Sequence, residues 1–226
     1  MFGRRRSSHL STLALVVVFI VACANRVGPE VDDSTADPAE TELADGGGAT
    51  GDADERTEDV VDDGEEGSAA LPERPGPREE TTGSVPHIQT SAVLVPEVDA
   101  ELERRVYSLP GVEMRESTVS LPGARSLWLG DDVELLRPEI LAAGREFGHI
   151  HPDGSLHLWL PVERAEEVDA AKWGELHPWV TRDGFWNGVV MVYTPEDLDE
   201  LEITVQLVVD AYNFTTGADL DPDDVA

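Results

Sequence analysis

Hydrophobic and polar positions follow a strand-like pattern on both sides of a short turn signal in the stretch FGHIHPDGSLHLWLP. Two apolar-rich segments, Phe147–His151 and Leu156–Leu160, flank a Pro-Asp-Gly sequence whose three residues all favour turns. Side chains of a strand point alternately to its two faces, so Phe147, His149 and His151 are predicted to share one face. The stretch therefore predicts a β-hairpin that carries histidines.

The loop length of this hairpin decides which histidines meet, because a shift of one residue turns every side chain of a strand to the other face. A two-residue turn places His149 opposite Leu158 and leaves His157 on the far face. A three-residue loop that includes Pro152 pairs His149 with His157 and, with His151, places three imidazoles on one face. We expect the second arrangement, because proline fits poorly as a ladder residue beside a tight turn.

The rest of the chain from residue 96 alternates between helical and strand-like patterns. Helical patterns occur at 97–108, 161–171 and 195–213, with a shorter one at 135–143. Strand-like segments occur at 112–114, 118–121, 125–129 and 188–193, with an extended segment at 175–180. Thr194, followed by Pro195, is the expected N-cap of the last helix. This order predicts an α+β domain over residues 96–216, with a mostly antiparallel sheet and helices packed on one face.

Composition separates this domain from the chain that precedes it. Residues 23–95 are rich in carboxylates, glycine and proline and nearly lack aromatic side chains, so they cannot bury enough apolar surface to offset their chain entropy. We therefore predict a disordered acidic linker there, and a short acidic tail at 217–226. The linker also serves as a spacer, because like charges extend a chain.

The chain as a whole is strongly acidic, with a formal net charge of −31. Residues 98–226 alone hold 27 acidic and 9 basic side chains, a net charge of −18. This balance argues against nucleic acid as a partner, because phosphate binding needs a positive surface. Self-repulsion on this scale is a feature of salt-adapted proteins and of acidic secreted ones, and either setting fits.

The first 22 residues have the features of a secretion signal. Three arginines, Arg4–Arg6, precede the apolar run Leu13–Ala22, which is short for a transmembrane span. The run leads into Ile-Val-Ala-Cys, which resembles the lipobox of prokaryotic lipoproteins and implies lipidation of Cys23, the only cysteine in the chain. The prediction is a signal peptide at 1–22 and a protein lipid-anchored in the cell membrane, on the extracytoplasmic face. An uncleaved single-pass anchor is the alternative.

Candidate chemistry concentrates in the predicted domain. Its histidines are His149, His151, His157 and His177. Imidazole is a common transition-metal ligand and acid–base group, but no Asp or Glu stands at an obvious ligand spacing. A metal site, an acid–base or ligand-binding site, and purely structural histidines all stay open. Candidate pocket side chains are Trp159, Trp179 and Trp186. No motif indicates a particular cofactor or a known catalytic class.

Several segments are similar to bacterial and fungal luciferase-domain proteins: LPGV from Leu109, the histidine hairpin, WGELHPW from Trp173, and the run GVVMVYTPEDLDELE from Gly188. The resemblance covers roughly residues 97–215 and implies no catalytic residue. The order of elements is also similar, at the level of fold, to YjbR-like domains. The leading hypothesis is a tethered, non-enzymatic module that binds a small molecule or an envelope protein. The alternative is an enzyme that uses the histidines, with or without a metal.

Overall fold

The computed structural model describes residues 70–225, which form a six-stranded sheet with three α-helices. The strands are β1 (Val112–Glu116), β2 (Arg125–Leu129), β3 (Glu146–Ile150), β4 (Leu156–Trp159), β5 (Gly174–Leu176) and β6 (Val189–Val192). The helices are α1 (Pro96–Val106), α2 (Val162–Ala170) and α3 (Leu198–Thr216). The strand order is β1-β2-β3-β4-β6-β5, and all neighbours are antiparallel. The α+β prediction is confirmed.

The hydrophobic core lies between the helices and one face of this sheet. α3 contacts β3 and β4, α2 contacts β5 and β6, and α1 packs against α3. Alternate strand residues point into the core, such as Leu156 and Leu158 of β4, which are fully buried. The intervening side chains His157 and Trp159 therefore point to the other face, which we call the second face. Within residues 70–225, no helix combines the length and apolar character needed to cross a bilayer.

The central hairpin adopts the predicted register with the longer loop. His149 of β3 pairs directly with His157 of β4. Beyond the strand ends, the backbone N–H of His151 donates to the carbonyl of Ser155 at 2.8 Å, so residues 152–154 form the loop. The prediction that His149 and His157 lie on one face of the sheet is confirmed.

A bulge in β3 corrects the predicted position of Phe147. Two consecutive residues of β2 pair with Gly148 and Glu146, which leaves Phe147 without a partner in the ladder. A bulge shifts the alternation of side chains by one residue. Phe147 therefore points into the helix-side core, where its ring contacts that of Tyr212, and it does not share a face with His149. Glu146 lies on the histidine face instead.

Residues 70–95, which the sequence analysis assigned to the disordered linker, lie against the domain, and we call them the strap. The backbone N–H of Arg74 donates to the carbonyl of Ala171 at 2.8 Å, and its side chain is only 6% exposed. The folded part of the chain therefore begins by residue 70, rather than at 96. Composition misplaced this boundary because polar contacts hold the strap. The signal peptide, Cys23 and the linker up to residue 69 lie outside the described residues.

The acidic segment after α3 is also packed, although the sequence analysis treated 217–226 as a separate tail. Val225 is 6% exposed and belongs to the hydrophobic core. The Arg105 side chain, itself buried, donates from Nε to the carbonyl of Val225 at 2.6 Å. Asn213 also makes two hydrogen bonds to the backbone of Leu220, so both apolar and polar contacts hold a segment that composition alone describes as acidic and loose.

Two local predictions were wrong. The segment 118–121, expected as a strand, consists mainly of bends. The N-cap of α3 is Asp197 rather than Thr194, because the Asp197 carboxylate accepts a hydrogen bond from the backbone N–H of Glu200 at 2.9 Å. Thr194 is used elsewhere: its N–H donates to the side chain of Gln89 in the strap at 2.8 Å.

Candidate metal centre

Five buried histidines collect on the second face of the sheet. They are His87, His149, His151, His157 and His177, and each is at most 8% exposed. Four of them come from β3, β4 and the segments that continue β3 and β5, as the sequence analysis proposed. The fifth, His87, comes from the strap. Burial of this many imidazoles is costly unless each is hydrogen-bonded or bound to a cation.

Three of these imidazoles form one hydrogen-bonded chain between two carboxylates. Glu175 Oε1 lies 2.5 Å from His87 Nε2, and His87 Nδ1 lies 3.1 Å from His157 Nε2. His157 Nδ1 lies 3.1 Å from His149 Nε2, and His149 Nδ1 lies 2.8 Å from Glu146 Oε1. Both nitrogens of all three rings are therefore engaged, and the chain has four links.

The number of protons does not match the number of links. An ionised carboxylate only accepts hydrogen bonds, whereas each neutral imidazole has one N–H donor and one acceptor nitrogen. Three neutral rings therefore supply three protons to the four links between Glu175 and Glu146. With both carboxylates ionised, one link has no hydrogen, and two nitrogen lone pairs face each other there. One further proton or one cation is needed to complete the chain.

The location of the empty link follows from the two ends. If both rings are neutral, His149 donates a hydrogen bond from Nδ1 to Glu146 and His87 donates one from Nε2 to Glu175, so both rings turn a lone pair towards His157. The single proton of His157 can satisfy only one of these two neighbours. Whichever neighbour it does not satisfy faces His157 across the empty link.

The orientation of His151 selects the link between His149 and His157. Ser155 Oγ donates its proton to Asp153 Oδ1 at 2.7 Å, so it accepts a hydrogen bond from His151 Nδ1 at 2.9 Å. The Nε2 lone pair of His151 is then left for another partner. One nitrogen each of His149, His151 and His157 lies within 4.8 Å of the other two.

These three nitrogens suit a tetrahedral metal ion. Zinc binds imidazole at about 2.0–2.1 Å, which separates two ligand nitrogens by roughly 3.4 Å in a tetrahedral site. The observed separation of His149 Nε2 and His157 Nδ1 is 3.1 Å. With a metal there, His157 carries its proton on Nε2 and donates to His87, and all four links are satisfied. Hydrogen bonds from the outer nitrogens to Glu146 and Ser155 are the usual support of metal-bound imidazoles.

A second group, His87, His157 and His177, has a similar spacing. Its hydrogen-bond donors and acceptors are arranged differently. The backbone N–H of Trp179 donates to His177 Nδ1 at 3.1 Å. A neutral His177 therefore carries its proton on Nε2 and has no free lone pair to offer. This group is the weaker candidate for a metal, and His87 serves better as the hydrogen-bond partner of His157.

Burial keeps three rings of the cluster in the neutral form that binds metals. Loss of hydration, followed by the neighbouring imidazoles, lowers the pKa of His151 to about 3 and that of His177 to about 4. The same causes lower the pKa of His157 well below its ordinary value. These rings are therefore neutral at pH 7, and a neutral imidazole is a metal ligand rather than an acid.

The three predicted pocket tryptophans do not line one common pocket. Trp159 and Trp186 line a surface cleft of about 410 Å³. The Trp159 ring also contacts that of His149, with centroids 5.9 Å apart. Trp179 does not line this cleft and lies against His177, with ring centroids 5.6 Å apart.

Sequence reasoning missed His87, Glu146 and Glu175. Glu146 stands three positions before His149, an offset that a regular strand would place on opposite faces, and only the bulge brings them together. The signal for the bulge was Gly148, because a glycine inside a strand often marks one. The signal for His87 was its position in VPHIQTSAVLV, an apolar stretch within the acidic linker.

Comparison with known families supports the resemblance seen in the sequence. The family model described as Luciferase domain matches residues 144–211, which contain β3, β4, α2, β5, β6 and most of α3. The chain therefore contains a luciferase-domain segment, and His149, His151 and His157 all lie inside it. No curated protein and no solved structure matches the chain. The weaker similarity to YjbR-like domains stays a prediction.

Proposed function

We propose that this protein is a membrane-anchored, metal-binding lipoprotein whose luciferase-domain segment holds one divalent transition-metal ion. His149 Nε2, His151 Nε2 and His157 Nδ1 are the ligands. The observation that carries the proposal is the 3.1 Å approach of His149 Nε2 to His157 Nδ1, where neutral rings leave a link without a hydrogen, together with the lone pair that Ser155 leaves on His151 Nε2. The ligand that the sequence analysis left unknown is then the metal itself.

Charge and hydrogen bonding both favour a cation over a structural role. Glu146 is 1% exposed and Glu175 is partly buried, and both face imidazoles. An uncompensated buried carboxylate costs several kcal/mol, of order ~3–5 when a pair is broken. A divalent ion bound to neutral imidazoles balances the two negative charges, whereas one extra proton would fill the remaining link but balance only one of them.

The ligand set also limits the choice of metal. Nitrogen ligands suit zinc, copper, nickel and iron, whereas calcium and magnesium prefer oxygen. Three imidazoles leave the fourth position of a tetrahedral ion for water or another ligand. We therefore expect a metal of the zinc or copper type, bound without sulfur.

The membrane anchor is the second part of the proposal. Cys23 follows the apolar run that ends at Ala22, and the resemblance to a lipobox supports lipid attachment at this position. The acidic chain between Cys23 and the strap would hold the metal-binding domain away from the membrane surface. The domain would then face the extracytoplasmic side, where an envelope protein is a possible further partner.

A metal titration of matched variants tests the site. The full chain, purified in detergent and stripped with a chelator, should bind one Co(II) or Zn(II) per chain. His151→Phe should abolish binding, whereas His177→Phe should leave the stoichiometry at one, although both remove a buried imidazole from the same face. Failure of the unmodified chain to bind metal, or loss of binding in His177→Phe alone, would refute the assignment.

A second candidate is an enzyme that uses the metal, and one contact favours it. The Trp159 ring that contacts His149 also forms part of the wall of the surface cleft, so a molecule in the cleft would lie near the metal. An open fourth position is the requirement for such chemistry. Azide added to the Co(II)-loaded chain should change the visible spectrum if that position is accessible. An unchanged spectrum would argue against the enzyme and leave metal binding as the only proposed role.

A further inference from the structure

The strap is attached to the domain mainly by polar groups, although Leu71 and Val95 near its two ends are partly buried against the hydrophobic core. The buried hydrophobic side chains of the described residues begin at Val98, so the strap contributes none of them. Its own buried side chains are Arg74, His87 and Gln89. A segment with little buried apolar area belongs to the less stable part of a fold and can open locally.

One attachment of the strap lies away from the metal centre. Arg74 donates from Nε to Glu200 Oε1 at 3.0 Å and from Nη1 to Glu79 Oε1 at 2.8 Å. The indole N–H of Trp173 donates to the carbonyl of Pro72 at 2.6 Å. These contacts tie the beginning of the strap to α3 and to the segment between α2 and β5.

Two further attachments lie at or near the metal centre. His87 connects His157 to Glu175, as described above. Gln89 accepts from the backbone of Thr194, whose hydroxyl donates to the carbonyl of Asp153 in the hairpin loop. The strap therefore contacts both the strand that carries His157 and the neighbourhood of the loop that follows His151.

We propose that the strap is the gate of the metal centre, the segment that opens to admit the ion, and that His87 holds the strap closed. This proposal rests on the metal site proposed above. The three ligands are between 1% and 6% exposed, so an ion reaches them only when some covering segment opens. The strap is the covering segment held by polar contacts, and it is therefore the segment expected to open.

Metal binding and closure of the strap should favour each other. A metal on His157 Nδ1 fixes the remaining proton on Nε2, where it points at His87 Nδ1. Without the metal, the same proton can turn to His149 instead, and the link to the strap is lost. Coupling of this kind is reciprocal, so the factor by which bound metal favours docking of the strap equals the factor by which docking favours metal binding.

His87 is thus a positioning residue, and its variants separate its role from simple packing. His87→Leu removes the acceptor for His157 and should weaken Zn(II) binding by about 10–100-fold, the usual cost of losing an outer hydrogen bond at a metal site. His87→Asn places an amide oxygen near the position of Nδ1 and should recover part of the affinity. Arg74→Gln loosens the strap far from the ligands, and should speed both association and release of Zn(II) while weakening the overall affinity. Arg115→Gln, an exposed arginine of β1, is the control and should change neither rate.

Hydrogen exchange on the unmodified full chain tests the coupling without any variant. Zn(II) should slow amide exchange in strap peptides that cover residues 79–91, and His87→Leu should remove this protection. If Zn(II) binds with normal affinity and leaves strap exchange unchanged, or if Arg74→Gln alters neither rate nor affinity, the strap is not the gate and the metal site still stands. If the unmodified chain binds no metal, the proposed function itself fails.

Discussion

Replacing Glu146 by glutamine should stabilise the metal-free protein and weaken its affinity for metal. Glu146 Oε1 accepts from both His149 Nδ1 and Ser117 Oγ at 2.8 Å, and Oε2 is buried without a partner among the described residues. A glutamine whose amide nitrogen occupies the Oε1 position has two N–H donors for these two neighbours. His149 would then accept on Nδ1 and carry its own proton on Nε2. That proton fills the empty link to His157.

The opposite signs of the two effects come from the same proton. In the metal-free state, the change supplies one neutral hydrogen bond, worth about 0.5–1.5 kcal/mol, and removes a buried charge. A gain of 1 kcal/mol raises the melting temperature by roughly 2–4 °C in a domain of this size. Metal binding must now displace the proton from His149 Nε2 without a carboxylate on Nδ1. We expect the affinity to fall by at least about 10–100-fold.

The assay is thermal unfolding with and without Zn(II), together with competition for Zn(II) against a chelator. Glu113→Gln is the matched control, because Glu113 is half exposed on β1. The substitution removes one negative charge, as Glu146→Gln does, at a residue that does not contact the histidines. It should leave metal affinity unchanged. A lower melting temperature of metal-free Glu146→Gln, combined with normal Zn(II) affinity, would show that Glu146 supports the fold rather than a metal ligand.

Three further predictions concern pH, salt and the anchor. The pKa values of His151 and His177 are lowered to about 3 and about 4 in the fold, so below pH 6.5 the unfolded chain binds more protons than the folded one. Resistance of the metal-free chain to urea should therefore fall as the pH drops from 6.5 towards 4, and a constant midpoint would contradict the burial of neutral imidazoles. Residues 98–226 carry a net charge of −18, and salt screens their mutual repulsion. The melting temperature should therefore rise from low to molar potassium chloride, and a flat or falling value would argue against salt adaptation. Cys23→Ala should move the protein out of the detergent phase or leave it unprocessed, and unchanged partitioning would rule out lipidation at Cys23.

The hairpin shows how far local sequence information reaches. Its strands, its turn and the pairing of His149 with His157 follow from alternation and from the poor fit of Pro152 in a tight turn, and the structure has this register. These features depend on neighbours in the chain. The same reasoning placed Phe147 on the wrong face, because a bulge depends on how two strands meet and on the space beside Gly148.

Local sequence patterns did not reveal where the folded domain begins or which distant groups its buried polar side chains contact. The strap contains many glycine, proline and polar residues and no aromatic Phe, Tyr or Trp, and it folds because Arg74, His87 and Gln89 find partners in segments far along the chain. A polar side chain does not reveal in sequence whether its partner will be water or a buried group. Composition is therefore a poor guide where polar contacts rather than apolar area hold a segment.

The sequence by itself determined the α+β class, the hairpin register and four of the five clustered histidines, because periodicity and turn chemistry act over a few residues. Only the tertiary structure decided what those histidines can bind. It brought His87 and Glu175 to one end of the imidazole chain and Glu146 to the other. The direction of each hydrogen bond, and with it the position of every free lone pair, is set by these distant partners. Proton positions are a property of the assembled network, and no single segment of the chain contains them.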